Sequence, residues 1–199
     1  MAKRNLGVAA SLPAHAVDKG YVDGLIHGAV PVNYGQKAWT FDPAFIQAGN
    51  VAVGGTLHLA KILNRAAITV SQVTLSIFTA GATLTNVGVG LWSSAGALLT
   101  SSVNVNGATA ALWQAVGVKV ITFAAPQVIA ADAGFYVGWW TTGTTQPALC
   151  RSAGSSSLAN AGLVSPNLRF AAANGALTNV APAALAAQAP TAAYWVAAA

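Results

Sequence analysis

The sequence predicts a mainly β protein, an antiparallel β-sandwich of jelly-roll-like form carried by residues 56–199. From residue 56 onward, short runs alternate apolar and polar side chains, as strands with one buried face do. Ser, Gly, Asn and Pro separate these runs, and many short strands joined by turns are typical of sandwiches and jelly rolls. The one convincing helical pattern lies before residue 29, so residues 1–28 are predicted as a helical arm and residues 29–55 as an extended connector.

The arm has the amphipathic pattern of a helix. Its apolar side chains recur at three- to four-residue spacing along one face: Val17, Tyr21, Val22, Leu25 and Ile26. Gly20 and Gly24 each weaken a helix by about 1 kcal/mol relative to Ala, and a lone helix of this length is marginal in water. We therefore expect the arm to form by packing, either as an attachment and oligomerisation element against other chains or along its own domain.

The connector is interrupted by turn-forming residues and has no regular period. Pro31, Pro43 and the pair Gly54-Gly55 are breakers of helix and strand. We expect it to cross a surface in extended form. Its aromatic residues are expected to pin it to the β domain: Trp39, Phe41 and Phe45.

The β domain begins with a strand near Leu57 and Leu59, and Val70–Thr79 follows with the alternation of a sheet that has one wet face. The stretch Val87–Leu99 then predicts strand, turn and strand. Gly88, Gly90 and Trp92 share one face of the first of these strands. Small residues beside a large ring allow close packing. The apolar residues of the second face are branched: Val87, Val89 and Leu91.

The run Phe135–Thr141 is apolar on both faces, which predicts either a central strand of the sandwich or burial at a subunit contact. It also resembles the earlier hairpin, since Val137-Gly138-Trp139-Trp140 parallels Val89-Gly90-Leu91-Trp92. No fixed period extends this likeness. We therefore interpret the two segments as similar strand positions, not as a repeat array.

Charge is scarce in this chain. Only 7% of its residues are charged, against roughly 25% in ordinary soluble domains, so we expect much of the surface to be buried at subunit contacts. The net charge of +5 reflects nine Lys and Arg against four Asp. The basic residues are scattered, whereas nucleic-acid binders concentrate them in a patch, so no nucleic-acid partner is predicted. No run approaches the length of a membrane span, so no membrane insertion is predicted.

Catalytic and metal-binding patterns are missing from the sequence. Its four acidic residues are Asp18, Asp23, Asp42 and Asp132, and nothing in the sequence brings two of them to one bond, as a glycosidase requires. Its histidines lack chelating spacing and are expected at the surface or at an interface: His15, His27 and His58. Cys150 is the only cysteine, which rules out an intrachain disulfide. We predict a protein that is not an enzyme and has no metal and no cofactor.

Aromatic residues offer the only binding chemistry that the composition suggests. Flat rings can stack on sugars at low entropic cost, and the candidates for such a platform are Trp92, Trp113, Trp139 and Trp140. Three of them lie in or near predicted strands, where packing in the core is the ordinary role of a large ring.

Two groups of motifs resemble proteins of bacteriophage particles. Ala16–Gly24, AVDKGYVDG, is similar to a segment near the start of tail-fibre and related virion proteins. From residue 87 onward, an ordered set of motifs resembles a C-terminal β domain of tail proteins from phages that infect actinobacteria: GLWSSAGALL, Trp113-Gln114, Gly117-Val118-Lys119, AGFYVGWW, Pro147-Ala148-Leu149 with Arg151, Arg169-Phe170 and Tyr194-Trp195. The order of these motifs carries the resemblance, which does not cover residues 29–55.

The resemblance implies a structural protein of the virion surface, usually a homotrimer, with a β-sandwich knob on a short stem. The arm would then attach to other virion proteins or trimerise, and the chain would assemble into particles in the cytoplasm of the bacterial host. Tail fibres generally have long shafts, whereas about thirty residues separate arm and knob here. A capsid decoration or head-spike protein is therefore a nearly equal expectation. The alternative is a module that binds host-cell glycans through the tryptophans.

Overall fold

The computed structural model describes residues 31–104, 108–153 and 159–199. The predicted arm lies outside these ranges. Within them, no helix is long and apolar enough to cross a membrane. The elements are the 3-10 turns Pro31–Tyr34 and Pro43–Phe45, the helix α1 (Ala108–Trp113), and the strands β1 (Ala38–Trp39), β2 (Ile46–Val51), β3 (Leu57–Ile62), β4 (Ile68–Thr79), β5 (Ala82–Ser93), β6 (Leu98–Asn104), β7 (Gly117–Ile129), β8 (Phe135–Thr145), β9 (Ala148–Ser152), β10 (Phe170–Ala173), β11 (Ala189–Pro190) and β12 (Val196–Ala198).

The strands form two six-stranded sheets, and all of their pairings are antiparallel. The first sheet has the order β1-β12-β4-β9-β2, with β7 paired to β4 along its other side. The second sheet has the order β11-β10-β3-β8-β5-β6. The predicted fold class, mainly β with an antiparallel sandwich, is confirmed.

The main core lies between the two sheets. Val73, Leu75 and Ile77, the predicted apolar side of β4, are buried there. They share this core with the branched face of β5 and with one face of β8: Val87, Val89, Leu91, Phe135, Val137 and Trp139. The period of two in these runs therefore predicted the inner faces correctly, because successive side chains of a strand point to opposite sides of its sheet.

The second sheet is buried on its outer face as well. Leu57, Leu59, Trp92, Tyr136 and Trp140 form a second apolar cluster there. Residues 174–188, which we call the cover segment, cross this face and add three apolar side chains: Leu177, Ala181 and Leu185. This explains why Phe135–Thr141 is apolar on both sides, since β8 is a central strand whose two faces are both covered by its own chain.

Two tryptophan rings lie directly on glycines in the outer layer of the second sheet. β5 and β8 pair so that Gly88 is opposite Trp140 and Gly90 is opposite Gly138. A methyl group on Gly88 would lie 2.1 Å from Cζ2 of Trp140, and one on Gly138 would lie 2.5 Å from Cζ3 of Trp92. The two similar sequence segments are thus neighbouring antiparallel strands, and their glycines provide the space that the tryptophan rings occupy.

Part of the predicted connector belongs to the sandwich. β1 pairs with β12, and β2 pairs with β9, so residues 38–39 and 46–51 extend the first sheet. Trp39 lies against Tyr34 with ring centroids 5.6 Å apart. The sandwich therefore begins at Ala38, earlier than the predicted boundary at residue 56, because these strands are too short and too interrupted to show a period.

Candidate functional site

The four tryptophans predicted as stacking residues are all fully buried. Trp92 and Trp140 lie in the outer cluster of the second sheet, and Trp113 and Trp139 lie in the main core. A sugar platform needs an exposed ring face, and none of the four rings has one. The prediction of a glycan platform at these residues is therefore wrong. The four rings pack in the core, which is the ordinary role of a large ring in a strand.

The outer tryptophans instead hold the cover segment. Nε1 of Trp92 donates a hydrogen bond to the carbonyl oxygen of Pro182 at 2.9 Å, and Nε1 of Trp140 donates to that of Thr178 at 2.7 Å. The cover segment also bonds to the turn of the β5–β6 hairpin through Leu185 N–H and the Gly96 carbonyl. The two indole groups thus fix the cover segment at two points above the sheet.

Trp92→Phe is expected to lower the free energy of unfolding by about 1–2 kcal/mol beyond the loss of ring size, because it leaves the part-buried Pro182 carbonyl without its donor. Chemical denaturation measures this loss, and amide exchange in residues 177–186 should become faster. Trp195→Phe is the matched control, since Nε1 of Trp195 is buried without a hydrogen-bond partner. Equal losses in the two variants would contradict the role of the Trp92 bond.

His58 is a core residue, although the sequence pattern suggested a histidine at the surface or at an interface. Its side chain is 2% exposed, and its ring lies between Trp139 and Tyr194, with centroid distances of 6.0 and 5.6 Å. Nε2 accepts a hydrogen bond from the Val53 N–H at 3.0 Å, and Nδ1 is buried without a partner. Burial lowers the pKa of His58 to about 4, so the ring is neutral at physiological pH.

The two described aspartates both lie in turns. Oδ1 of Asp42 accepts the Ala44 N–H at 2.8 Å and caps the 3-10 turn that follows. Asp132 has a positive φ of 55° in the β7–β8 turn, where its N–H donates to the Asn64 carbonyl. Within the described ranges, no three His, Cys, Asp or Glu side chains are grouped so that they could hold a metal ion. Asp18, Asp23, His15 and His27 lie outside those ranges, as does the predicted attachment set Val17, Tyr21, Val22, Leu25 and Ile26.

An apolar groove of about 350 Å³ lies beside β2 and β10. Phe41, Phe45 and Phe170 supply its rings, and Arg169 supplies its one charge among the described lining residues. The Arg169 guanidinium is already engaged, since it donates to the Thr40 carbonyl and lies 5.4 Å from the centroid of the Phe170 ring. This lining contains neither a carboxylate nor a histidine, so the groove offers contact surface without an acid–base pair.

The outer face of the first sheet carries exposed apolar side chains that the sequence did not predict. We define it by the side chains of β4 and β7 that point away from the core: Gln72, Thr74, Ser76, Phe78, Val118, Val120 and Thr122. Phe78 is 53% exposed, Val118 64% and Val120 48%. A groove of about 330 Å³ continues this face toward Trp39 and Trp195. None of these residues is charged, so the face is neutral, and three of the seven are exposed apolar side chains.

Sequence reasoning missed the exposed valines of this face because β7 carries apolar residues on both sides. Val118 and Val120 alternate with Ile121 and Phe123, and the pattern alone does not say which side meets the second sheet. Lys119 would suggest that its own side is the wet one, yet it is turned toward the protein, where Nζ donates to the Val116 carbonyl at 3.2 Å. The exposed side of the strand is therefore the one that carries Val118 and Val120, not the one that carries the lysine.

No protein-family model and no curated protein matches this sequence.

Proposed function

We propose that the chain is a non-enzymatic structural protein of a bacteriophage virion, exposed on the particle as a trimeric β knob. Its place would be the tail tip or fibre, or the capsid surface as a decoration protein. The order of the motifs after residue 87 supports the virion assignment. The structure contributes the main physical support, which is the neutral outer face of the first sheet.

The outer face supports an assembled protein because exposed apolar surface without charge favours association. Residues 174–188 of the same chain cover the outer face of the second sheet. The outer face of the first sheet, with Phe78, Val118 and Val120, has no such cover among the described residues. A protein with only 7% charged residues gains by burying such a face against neighbouring subunits.

A structural role is also consistent with how the described polar groups are used. Asp42 caps a turn, Arg169 bonds to a backbone carbonyl, and His58 is held neutral in the core. Each of these side chains has a structural contact that accounts for its position. These three side chains therefore have structural roles, as expected of a protein that acts through its surfaces and its assembly.

The oligomeric state tests the proposal. Native mass spectrometry of the full chain is expected to give assemblies whose mass is a multiple of three times the 19.9 kDa chain, and these should unfold cooperatively at high temperature. Removing residues 1–28 should abolish threefold assembly if the arm trimerises, and far-ultraviolet circular dichroism would report whether the sandwich persists. A stable monomer of the full chain in dilute solution would contradict the proposal.

A further inference from the structure

Strand β7 is an edge of the first sheet. It runs from Gly117 to Ile129 and pairs with β4 and with no other described strand. The pairing is in unbroken register from Gly117 opposite Ile77 to Thr122 opposite Gln72, and the register shifts beyond this point. One side of the backbone in residues 117–122 therefore presents alternate N–H and C=O groups that no described strand satisfies.

This edge lacks the features that usually prevent strands from pairing between molecules. Natural edge strands are protected by charged side chains, Pro, bulges or short length. In residues 117–122 the only charged side chain is Lys119, which is 9% exposed and bonded to the Val116 carbonyl. Pro126 and the register shift lie beyond Thr122, so they limit a pairing surface to residues 117–122 without blocking it.

We propose that residues 117–122 pair antiparallel with the same residues of a second copy of this chain, across a twofold axis. Antiparallel pairing is the arrangement that a twofold axis produces, because it makes one strand its own partner. With the axis at Val120, that residue faces its own copy, and Val118 faces Thr122 of the other chain. The two first sheets then join into one continuous sheet.

The second copy is the occupant that matches the surface best. Twofold pairing places the outer faces of both sheets on the same side, so the exposed valines of one chain lie next to those of the other. Cross-strand pairs of β-branched side chains contribute roughly 0.2–1 kcal/mol each. Neither edge brings an exposed charge to the contact, so no charge is buried without a partner. A strongly charged partner would find no complementary group among residues 117–122.

Charge at the centre of the edge tests the proposal. Val118→Lys and Val120→Lys replace side chains that are exposed in the single chain, so folding should be unaffected, as circular dichroism would show. Both variants are expected to halve the native mass of the full chain at micromolar concentration. Val128→Lys is the matched control, because Val128 lies on the same strand beyond Pro126 and is 76% exposed. It should keep the wild-type mass.

A covalent trap gives a second, independent measurement. In a Cys150→Ala background, Val120→Cys should form a disulfide-linked dimer on mild oxidation, whereas Val128→Cys should not. The proposal is overturned if Val118→Lys and Val120→Lys both keep the native mass of the wild-type assembly. It is also overturned if Val120→Cys cross-links no more than Val128→Cys. Threefold assembly is a separate property: a trimer that Val120→Lys leaves unchanged would contradict the edge contact and leave the proposed function standing.

Discussion

Gly88→Ala is expected to lower the free energy of unfolding by about 3 kcal/mol, a large effect for one added methyl group. The new Cβ would lie 2.1 Å from Cζ2 and 2.4 Å from Cε2 of Trp140. The ring cannot retreat freely, because its Nε1 is bonded to the Thr178 carbonyl and it is fully buried under the cover segment. Equilibrium denaturation of the variant and the wild-type chain measures the loss.

Two further variants show whether the clash with Trp140 is the cause. Gly175→Ala is the control, since no atom lies within 4 Å of a methyl group at that glycine, and little change is expected. In a Trp140→Ala background the ring is gone, so the added cost of Gly88→Ala should fall to less than half. A full cost in that background would show that the strand backbone, not the ring, requires glycine at position 88.

His58 is expected to make the fold sensitive to acid, by about 3 kcal/mol between pH 7 and pH 4. Its pKa of about 4 in the folded chain is below the ordinary value of 6.5, and one pKa unit corresponds to 1.36 kcal/mol. Above pH 6.5 the ring is neutral in both states, so it brings no penalty. As the pH falls below 6.5 the unfolded chain takes up a proton that the folded chain does not, and stability is lost down to about pH 4.

His58→Gln removes this titration while its side-chain oxygen can still accept the Val53 N–H. The free energy of unfolding of the variant, measured by denaturation at several pH values from 7 to 4.5, should change less with pH than that of the wild-type chain. His15 and His27 are present in both proteins, so their contribution cancels in the comparison. Identical pH slopes would mean that His58 is not held neutral by its burial.

The sequence predicted the sandwich because its strongest signals are those that a sheet requires. The alternation of Val73, Leu75 and Ile77 with polar residues identified an inner face. The two apolar sides of β8 predicted either a central strand or a subunit contact, and β8 is a central strand between β3 and β5. The short strand β1 gave no such signal, because two residues do not establish a period, and it forms by pairing with β12. The helix α1 was missed for the same reason, since it spans only six residues.

The candidate sites could be predicted less well, because burial depends on parts of the chain that are distant in sequence. Trp92 and Trp140 are buried because residues 174–188 cross above them, and this contact cannot be read from the sequence around either ring. No feature of the sequence around His58 predicts that its ring lies between Trp139, which is in β8, and Tyr194, which precedes β12. The side of β7 that carries Lys119 is turned inward, which the two apolar sides of this strand do not reveal.

The location of the chain on phage particles tests the central claim most directly. If the chain is a virion protein, as proposed, immunogold labelling of intact virions with antibodies raised against residues 56–199 would locate it. Regular label over the head would assign a capsid decoration protein, and label confined to the tail tip would assign a role in attachment. Intact particles without label, from a lysate in which the same antibodies detect the chain free in solution, would contradict the account.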